Sequence, residues 1–160
     1  MPRWLVPVCL LLACLPAAQA EETLPEFSTA YGVERDPFVD GRTALALAKA
    51  SGRHVLIELG GDWCVWCHRL DGFLASKPAL HQALHNAFVL LKVNVSEEND
   101  NAEFLKDFPR ALGYPHMYVS DTDGNLLQSQ DTAQFIIDNR YAEKPFYDFI
   151  ERWGPKPASP

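Results

Sequence analysis

The sequence predicts an α/β protein in which helices flank a central mixed β-sheet. Two apolar runs, residues 55–59 and 88–95, are nearly continuous, which is typical of strands buried on both faces. Helical segments alternate with these runs, and two shorter strands follow them, in the order β-α-β-α-β-β-α. No internal repeat is visible in the 160 residues, so we expect a single domain.

The segments before the first strand are an entry region and a helix. Residues 21–36 are expected to be extended, because Pro25 and Pro37 disfavour helical structure there. Residues 43–50 combine two leucines and four alanines, which are good helix formers, and Ser51-Gly52 follows them as a stop signal. We therefore predict a helix over residues 43–50.

Two further helices are predicted between the two long strands. Residues 64–74 carry apolar side chains at three- and four-residue spacing, the pattern of a helix with one buried face. Ser76-Lys77-Pro78 fits a helix start with proline in the first turn, and residues 79–86 continue that helix. The long strand over residues 88–95 follows directly.

The second half of the chain is predicted to add a hairpin and three helices. A short helix over residues 102–108 ends at Pro109, and residues 116–120 and 126–129 form two short strands. The sequence between these strands, Asp121-Thr122-Asp123-Gly124-Asn125, is typical of a hairpin turn. The last two predicted helices cover residues 132–140 and 145–153.

The first residues have the pattern of an export signal. Arg3 supplies the positive start, residues 5–15 are apolar but too short to span a bilayer, and Ala18-Gln19-Ala20 offers a cleavage site. We predict a cleaved signal peptide over residues 1–20 and favour it over lipid attachment at Cys14, whose preceding residues fit a lipoprotein box poorly. The other predicted parts are an N-terminal extension, a folded domain and a loose Pro-rich tail, over residues 21–42, 43–153 and 154–160.

The charge of the chain argues against two classes of partner. The formal net charge of −7 becomes −8 when Arg3 leaves with the signal, and the absence of a basic patch argues against nucleic acid or anionic membranes. No later apolar run reaches membrane-spanning length.

Cleavage of the signal peptide removes Cys9 and Cys14 and leaves Cys64 and Cys67. One close-spaced cysteine pair in an oxidising compartment indicates a redox-active pair.

The most informative motif is Trp63-Cys64-Val65-Trp66-Cys67-His68, which follows the first strand. If the cysteines open a helix, both sulfurs lie at its N-terminus, where unpaired N–H groups and the helix dipole stabilise a thiolate. A thiolate with a second thiol in reach can attack a disulfide and then be resolved. The motif therefore predicts dithiol–disulfide exchange, with Cys64 as a nucleophile whose sulfur lies at the surface and Cys67 as the more buried resolving thiol.

These features resemble those of the thioredoxin-like family. Trp63-Cys64-x-x-Cys67 matches the W-C-x-x-C motif of that family in spacing and context. Glu58 lies six residues before Cys64, where the family has a buried acid, and Pro115 precedes a strand, where the family has a cis-proline. The resemblance covers about residues 43–153 and implies a thioredoxin-like fold, as in exported, periplasmic bacterial proteins with a W-C-x-W-C centre.

The resemblance implies a function and further site residues. Glu58 lies inside an apolar strand, so its pKa should be raised, and it would exchange a proton with Cys67. Other residues near the sulfurs would bind an extended partner segment, strand to strand and on an apolar surface. These residues are Trp63, Trp66, Tyr114 and Pro115. The implied function is thiol–disulfide exchange with exported proteins and a dedicated redox partner, without a bound cofactor or metal.

Four positions depart from the thioredoxin pattern. Val65-Trp66 stands between the cysteines in place of Gly-Pro. His68 follows Cys67 in place of Lys, and His116 follows the proline where Thr is common. Because residues around the cysteines influence the redox potential, the sequence leaves both the direction of exchange and any tuning by these histidines open.

Two alternative functions fit the same motif. Cys64-Val65-Trp66-Cys67-His68 has the C-x-x-C-H pattern that attaches haem in c-type cytochromes, with Met117 available as a further ligand. The two thiols and His68 could also hold a soft metal ion. We favour the redox interpretation because a buried strand leads directly into the motif and because Glu58 and Pro115 occupy family positions.

Overall fold

The structure, a computed structural model, describes Met1 and residues 24–156. The predicted signal peptide apart from Met1, its cleavage site after Ala20, and Cys14 therefore lie outside the described residues, as do residues 157–160 of the predicted tail. Among the described residues, no helix is both long enough and apolar enough to cross a membrane.

A four-stranded mixed sheet forms the centre of the fold. Its strands are β1 (His54–Gly60), β2 (Phe88–Asn94), β3 (His116–Ser120) and β4 (Leu126–Asp131). Their order is β2-β1-β3-β4, with β1 parallel to β2 and β3 antiparallel to both β1 and β4. Every residue of β1 and β2 except His54 is buried, as the continuous apolar runs predict.

Helices cover both faces of this sheet. They are α1 (Pro37–Ser51), α2 (Val65–Ala75), α3 (Pro78–Ala87), α4 (Ala102–Leu105) and α5 (Glu143–Trp153). Alternate residues of β1 enter two separate core clusters: Leu56 packs with residues of α2, α3 and α5, whereas Val55 and Ile57 pack with α1. The fold is thus a mixed sheet between helical layers, as predicted.

Helix α1 begins earlier than the sequence pattern suggests. We predicted a start at residue 43, but the helix starts at Pro37, inside the predicted extension. The Asp36 carboxylate accepts hydrogen bonds from the backbone N–H groups of Phe38 and Val39, at 2.8 and 3.4 Å. Proline is well suited to the first helical turn because it lacks only an N–H group that has no partner there, so Pro37 starts the helix instead of preventing it.

The predicted helix over residues 132–140 is wrong. The chain instead forms a 3₁₀ turn, Thr132–Phe135, and a small hairpin of β5 (Ile136–Ile137) and β6 (Arg140–Tyr141). Two physical features explain the difference. Paired β-branched isoleucines favour strand structure. The next two residues, Asp138 and Asn139, adopt φ values of 50° and 61°, as a two-residue hairpin turn requires.

Candidate functional site

Cys64 and Cys67 lie where β1 ends and α2 begins, and they are joined by a disulfide bond. Cys64 is the N-cap of α2, and its Sγ accepts a hydrogen bond from the backbone N–H of Cys67 at 3.2 Å. Both sulfurs therefore lie at a helix N-terminus, as the motif predicted. This location stabilises negative charge on Cys64 when the disulfide is opened.

The Cys64 sulfur was predicted to lie at the surface, and this prediction is wrong. Cys64 is only 2% exposed and Cys67 is fully buried. The cysteines form a small apolar cluster with Tyr31, and side chains from Trp66 and Tyr114 pack against it. Because Tyr31 and Tyr114 lie far from the motif in the sequence, the burial of Cys64 cannot be predicted from the motif alone.

Glu58 lies in the middle of β1 and is 1% exposed. Its Oε1 atom accepts a hydrogen bond from the hydroxyl group of Tyr31, and the Nζ atom of Lys92 lies 3.9 Å away from it. Its Oε2 atom has no hydrogen-bond partner within the part of the chain that the structure describes. Lys92 in turn donates to Asp71 on α2 at 2.6 Å. Tyr31 therefore hydrogen-bonds to one carboxyl oxygen of Glu58, whereas the other oxygen is buried without a hydrogen-bond partner among the described residues.

Burial is the main reason why the pKa of Glu58 is raised from its usual value. The charge of Lys92 and the hydrogen bond from Tyr31 oppose this shift, and the negative charge of Asp71 adds to it. The raised pKa agrees with the expectation from the sequence. A carboxyl group of this kind can carry a proton at a higher pH than an exposed one, which suits it to proton exchange with a thiol.

Glu58 and Gly60 lie two residues apart in β1, so they face the same side of the sheet. A Cβ atom placed on Gly60 would lie 2.5 Å from the Cys67 Sγ atom and 2.8 Å from the Tyr31 hydroxyl oxygen. Only glycine permits this approach. Tyr31 therefore contacts the buried acid through its hydroxyl group and packs in the same cluster as the resolving cysteine.

Sequence reasoning missed Tyr31. The residue belongs to the segment that we predicted to be an extended entry region, and no local motif marks it. The burial of Glu58 indicates that a donor is needed, but the chain has five tyrosines, and the tertiary path of the N-terminal segment decides which one supplies it. The contact joins residues 27 positions apart.

The Tyr114–Pro115 peptide bond, which precedes β3, is cis. The side chain of Tyr114 packs against the cysteine cluster and meets Trp63 edge to face, with ring centroids 5.5 Å apart. Trp63 is 55% exposed, and its indole N–H donates to the carbonyl oxygen of Val95 at 2.7 Å. Trp63 therefore offers a fixed aromatic surface beside the disulfide.

Trp66, which stands between the two cysteines in the sequence, contacts Tyr141 of the β5–β6 hairpin. The hydroxyl group of Tyr141 donates to the carbonyl oxygen of Trp66 at 3.3 Å, and their rings meet edge to face. The guanidinium group of Arg69 lies 4.5 Å from the Trp66 ring centroid. Of the predicted partner-binding residues, Trp66 and Tyr114 thus pack against the cysteine cluster, and Trp63 contacts Tyr114. Pro115 follows Tyr114 in the chain.

The two histidines near the site, His68 and His116, each place their Nε2 atom within hydrogen-bond distance of an oxygen atom. The Nε2 atom of His68 lies 2.7 Å from the carbonyl oxygen of Asp62. His116 is 1% exposed, its Nε2 atom lies 2.9 Å from the hydroxyl oxygen of Ser129, and burial lowers its pKa. The neutral imidazole is therefore favoured at position 116.

The geometry also bears on the two alternative functions. The sulfurs of Cys64 and Cys67 are bonded to each other, so neither is available for a thioether bond to haem or for a metal–thiolate bond in this state. Met117, suggested as a haem ligand, is fully buried in the core cluster that contains Leu56 and Leu70. Within residues 24–156, no cluster of three or more His, Cys, Asp or Glu side chains is arranged to hold a metal ion.

The chain is similar to a known protein family and to named bacterial proteins. A family model described as thioredoxin-like matches residues 40–121. The thiol:disulfide interchange protein DsbD of Yersinia pestis (strain Pestoides F) is 33% identical over 97 residues, which is 56% of this chain but only 16% of that protein. The chain thus spans about a sixth of the length of this relative.

Two solved structures share the fold. A disulphide isomerase from Xylella fastidiosa Temecula1 superposes with a TM-score of 0.64 at 22% identity, covering 82% of this chain and 97% of the other. The oxidised C-terminal domain of Neisseria meningitidis DsbD gives a TM-score of 0.56 at 18% identity, covering 76% of this chain and 99% of that one. At these identities the likeness is one of fold.

Proposed function

Because this chain belongs to the thioredoxin-like family, we propose that it is a thiol–disulfide oxidoreductase whose Cys64–Cys67 pair exchanges disulfides with partner proteins. The observation that carries the proposal is the bonded cysteine pair at the N-terminus of α2, which follows the strand that holds the buried acid Glu58. The similarity to DsbD proteins, which are named for thiol:disulfide interchange, supports it.

In the reducing direction, the Cys64 thiolate attacks one sulfur of a partner disulfide, which forms a mixed disulfide and releases the other partner sulfur as a thiolate. Cys67 then loses its proton, with Glu58 as the acceptor, and attacks the Cys64 sulfur. The mixed disulfide breaks, and Cys64–Cys67 becomes the disulfide. The partner gains two electrons and two protons, which balance those lost by the two cysteines. The reverse sequence oxidises a partner dithiol.

The partner segment is proposed to bind in extended form beside the cis-proline. Pro115 and the backbone of Tyr114 would pair with it, and Trp63 and Trp66 would contact its apolar side chains. The geometry that supports this proposal is the packing of Trp66 and Tyr114 against the cysteine cluster and the edge-to-face contact of Trp63 with Tyr114. Because Cys64 is nearly buried, binding would also have to displace part of the aromatic cover.

The protein is proposed to act on exported proteins in the periplasm, together with a dedicated redox partner. The pattern of residues 1–20 supports export, and a single close-spaced cysteine pair in residues 21–160 suits an oxidising compartment. In this proposal the working domain is residues 43–153, and residues 21–42 are an N-terminal extension that contains the first turns of α1.

Paired cysteine variants test the proposed function. Cys64→Ser should lower the rate of insulin disulfide reduction by about three orders of magnitude or more, to the uncatalysed level, because serine cannot form the mixed disulfide. Cys67→Ser should instead accumulate mixed disulfides through Cys64, which mass spectrometry detects. Wild-type activity in Cys64→Ser would contradict the assignment of the nucleophile.

A further inference from the structure

Tyr31 lies in the N-terminal segment, before α1 and outside the residues that the family model matches. It is nevertheless 4% exposed and forms one apolar cluster with Cys64 and Cys67. A buried tyrosine needs a partner for its hydroxyl group, and here that partner is the carboxyl group of Glu58. The N-terminal segment therefore contributes a side chain to the centre of the site.

The ring of Tyr31 is fixed at both ends. The Lys92 Nζ atom lies 4.7 Å from its ring centroid, a cation–π contact, and its hydroxyl end lies against Gly60. The space that a Gly60 side chain would need is already filled by the Tyr31 hydroxyl group on one side and the Cys67 sulfur on the other. Tyr31 thus reaches the resolving cysteine and the buried acid at the same time.

Several charged or titratable groups face Glu58 from the elements packed around it. Lys92 comes from β2, Asp71 comes from α2, Tyr141 comes from β6, and Tyr31 comes from the N-terminal segment. On β3 the residue that pairs with Glu58 is Met117, which is uncharged. Of the groups around Glu58, Tyr31 is the one that donates a hydrogen bond to its carboxyl group.

Tyr31 also stays a donor over the whole useful pH range. Burial and the nearby Glu58 charge raise its pKa well above the usual value, so the hydroxyl group keeps its proton. A hydrogen bond donated to Oε1 stabilises the charged carboxylate, and it leaves Oε2, which has no partner within residues 24–156, to take up a proton. The arrangement prepares Glu58 to act as a base.

We propose that Tyr31 is a positioning residue of the redox site: its hydroxyl group orients the Glu58 carboxyl group towards Cys67 and favours the charged form that accepts the Cys67 proton. This inference rests on the proposed function and adds to it a group that the cysteine motif does not reveal. It gives the segment before α1 a role in positioning the group that accepts the proton.

The test is the pH dependence of the resolution step in Tyr31→Phe, which keeps the ring and removes only the hydroxyl group. A glutathione mixed disulfide at Cys64 serves as the probe, and the release of glutathione by Cys67 is followed by stopped flow. Without the donor the Glu58 pKa should rise further, so the rising limb of the pH–rate profile should move to higher pH. Below its midpoint, release should be slower than in the wild type.

Two controls separate positioning from structure. Tyr147→Phe makes the same chemical change at a tyrosine that is 40% exposed, and its profile should superpose on that of the wild type. Tyr31→Phe combined with Glu58→Gln should give the same profile as Glu58→Gln alone, because Tyr31 acts through the acid.

The inference would be overturned if Glu58→Gln abolished the rising limb of the pH–rate profile while the profile of Tyr31→Phe superposed on that of the wild type. The proposed function would then stay intact. Failure of wild-type Cys67 to release glutathione at all would instead overturn the proposed function. If Tyr31→Phe does not fold, NMR of the wild type decides the question. The Cζ resonance of Tyr31 should follow the titration of Glu58, and a flat Cζ shift would contradict the inference.

Discussion

At the scale of single residues, the site is organised around one buried acid. Glu58 is nearly inaccessible, yet Lys92, the one cation paired with it among residues 24–156, lies 3.9 Å away and is shared with Asp71 at 2.6 Å. A buried carboxylate without a close, exclusive counter-ion is costly for the fold. We infer that Glu58 is kept for proton transfer at the expense of stability.

Glu58→Gln should therefore stabilise the oxidised protein at pH 8. The pKa of Glu58 is raised in the folded state, so its protonated form contributes stability that is complete below the unfolded value of 4.5 and is lost as the pH rises through the folded pKa. Urea denaturation at pH 8 and at pH 4 should show that the variant gains stability over the wild type only at the higher pH.

An equal difference between variant and wild type at both pH values would contradict the raised pKa. Lys92 retains Asp71 as its partner in the variant, so loss of the carboxylate does not leave the ammonium group unpaired. Glu103→Gln, a change at an exposed carboxylate paired with Lys106, is the matched control and should leave the pH dependence unaltered.

At the scale of secondary-structure elements, the long strands and the active-site helix followed from sequence because their signals are local. Continuous apolar runs marked β1 and β2, and three- and four-residue spacing marked α2. The β5–β6 hairpin was missed because a two-residue strand has too few positions to show a period. Only the pair Asp138-Asn139, which tolerates positive φ, indicated its turn.

The start of α1 was missed for a different reason: Pro37 disfavours a helix interior but favours a helix start. The carboxylate of Asp36 caps that start, so Asp36→Ala should destabilise the fold by about 1 kcal/mol. Urea denaturation measures the loss. The same change at Asp107, which is exposed and follows α4, should have a smaller effect, and equal losses at both positions would contradict the role of the cap.

At the scale of the whole molecule, the site is assembled from distant parts of the chain. The cysteine motif supplies the sulfurs, β1 supplies the acid, the loop before β3 supplies Tyr114, and the N-terminal segment supplies Tyr31. The sequence predicted the first three because each carries a local signal or matches a family position. It could not predict the burial of Cys64 or the contact of Tyr31, since both depend on how separate segments pack.

The most direct test of the account is equilibration of the protein with glutathione redox buffers, followed by counting of free thiols by mass spectrometry. We expect Cys64 and Cys67 to appear as thiols together, in a single transition that fits the transfer of two electrons. A bridge that stays closed at every potential, or a covalently attached porphyrin at these two cysteines, would contradict the account.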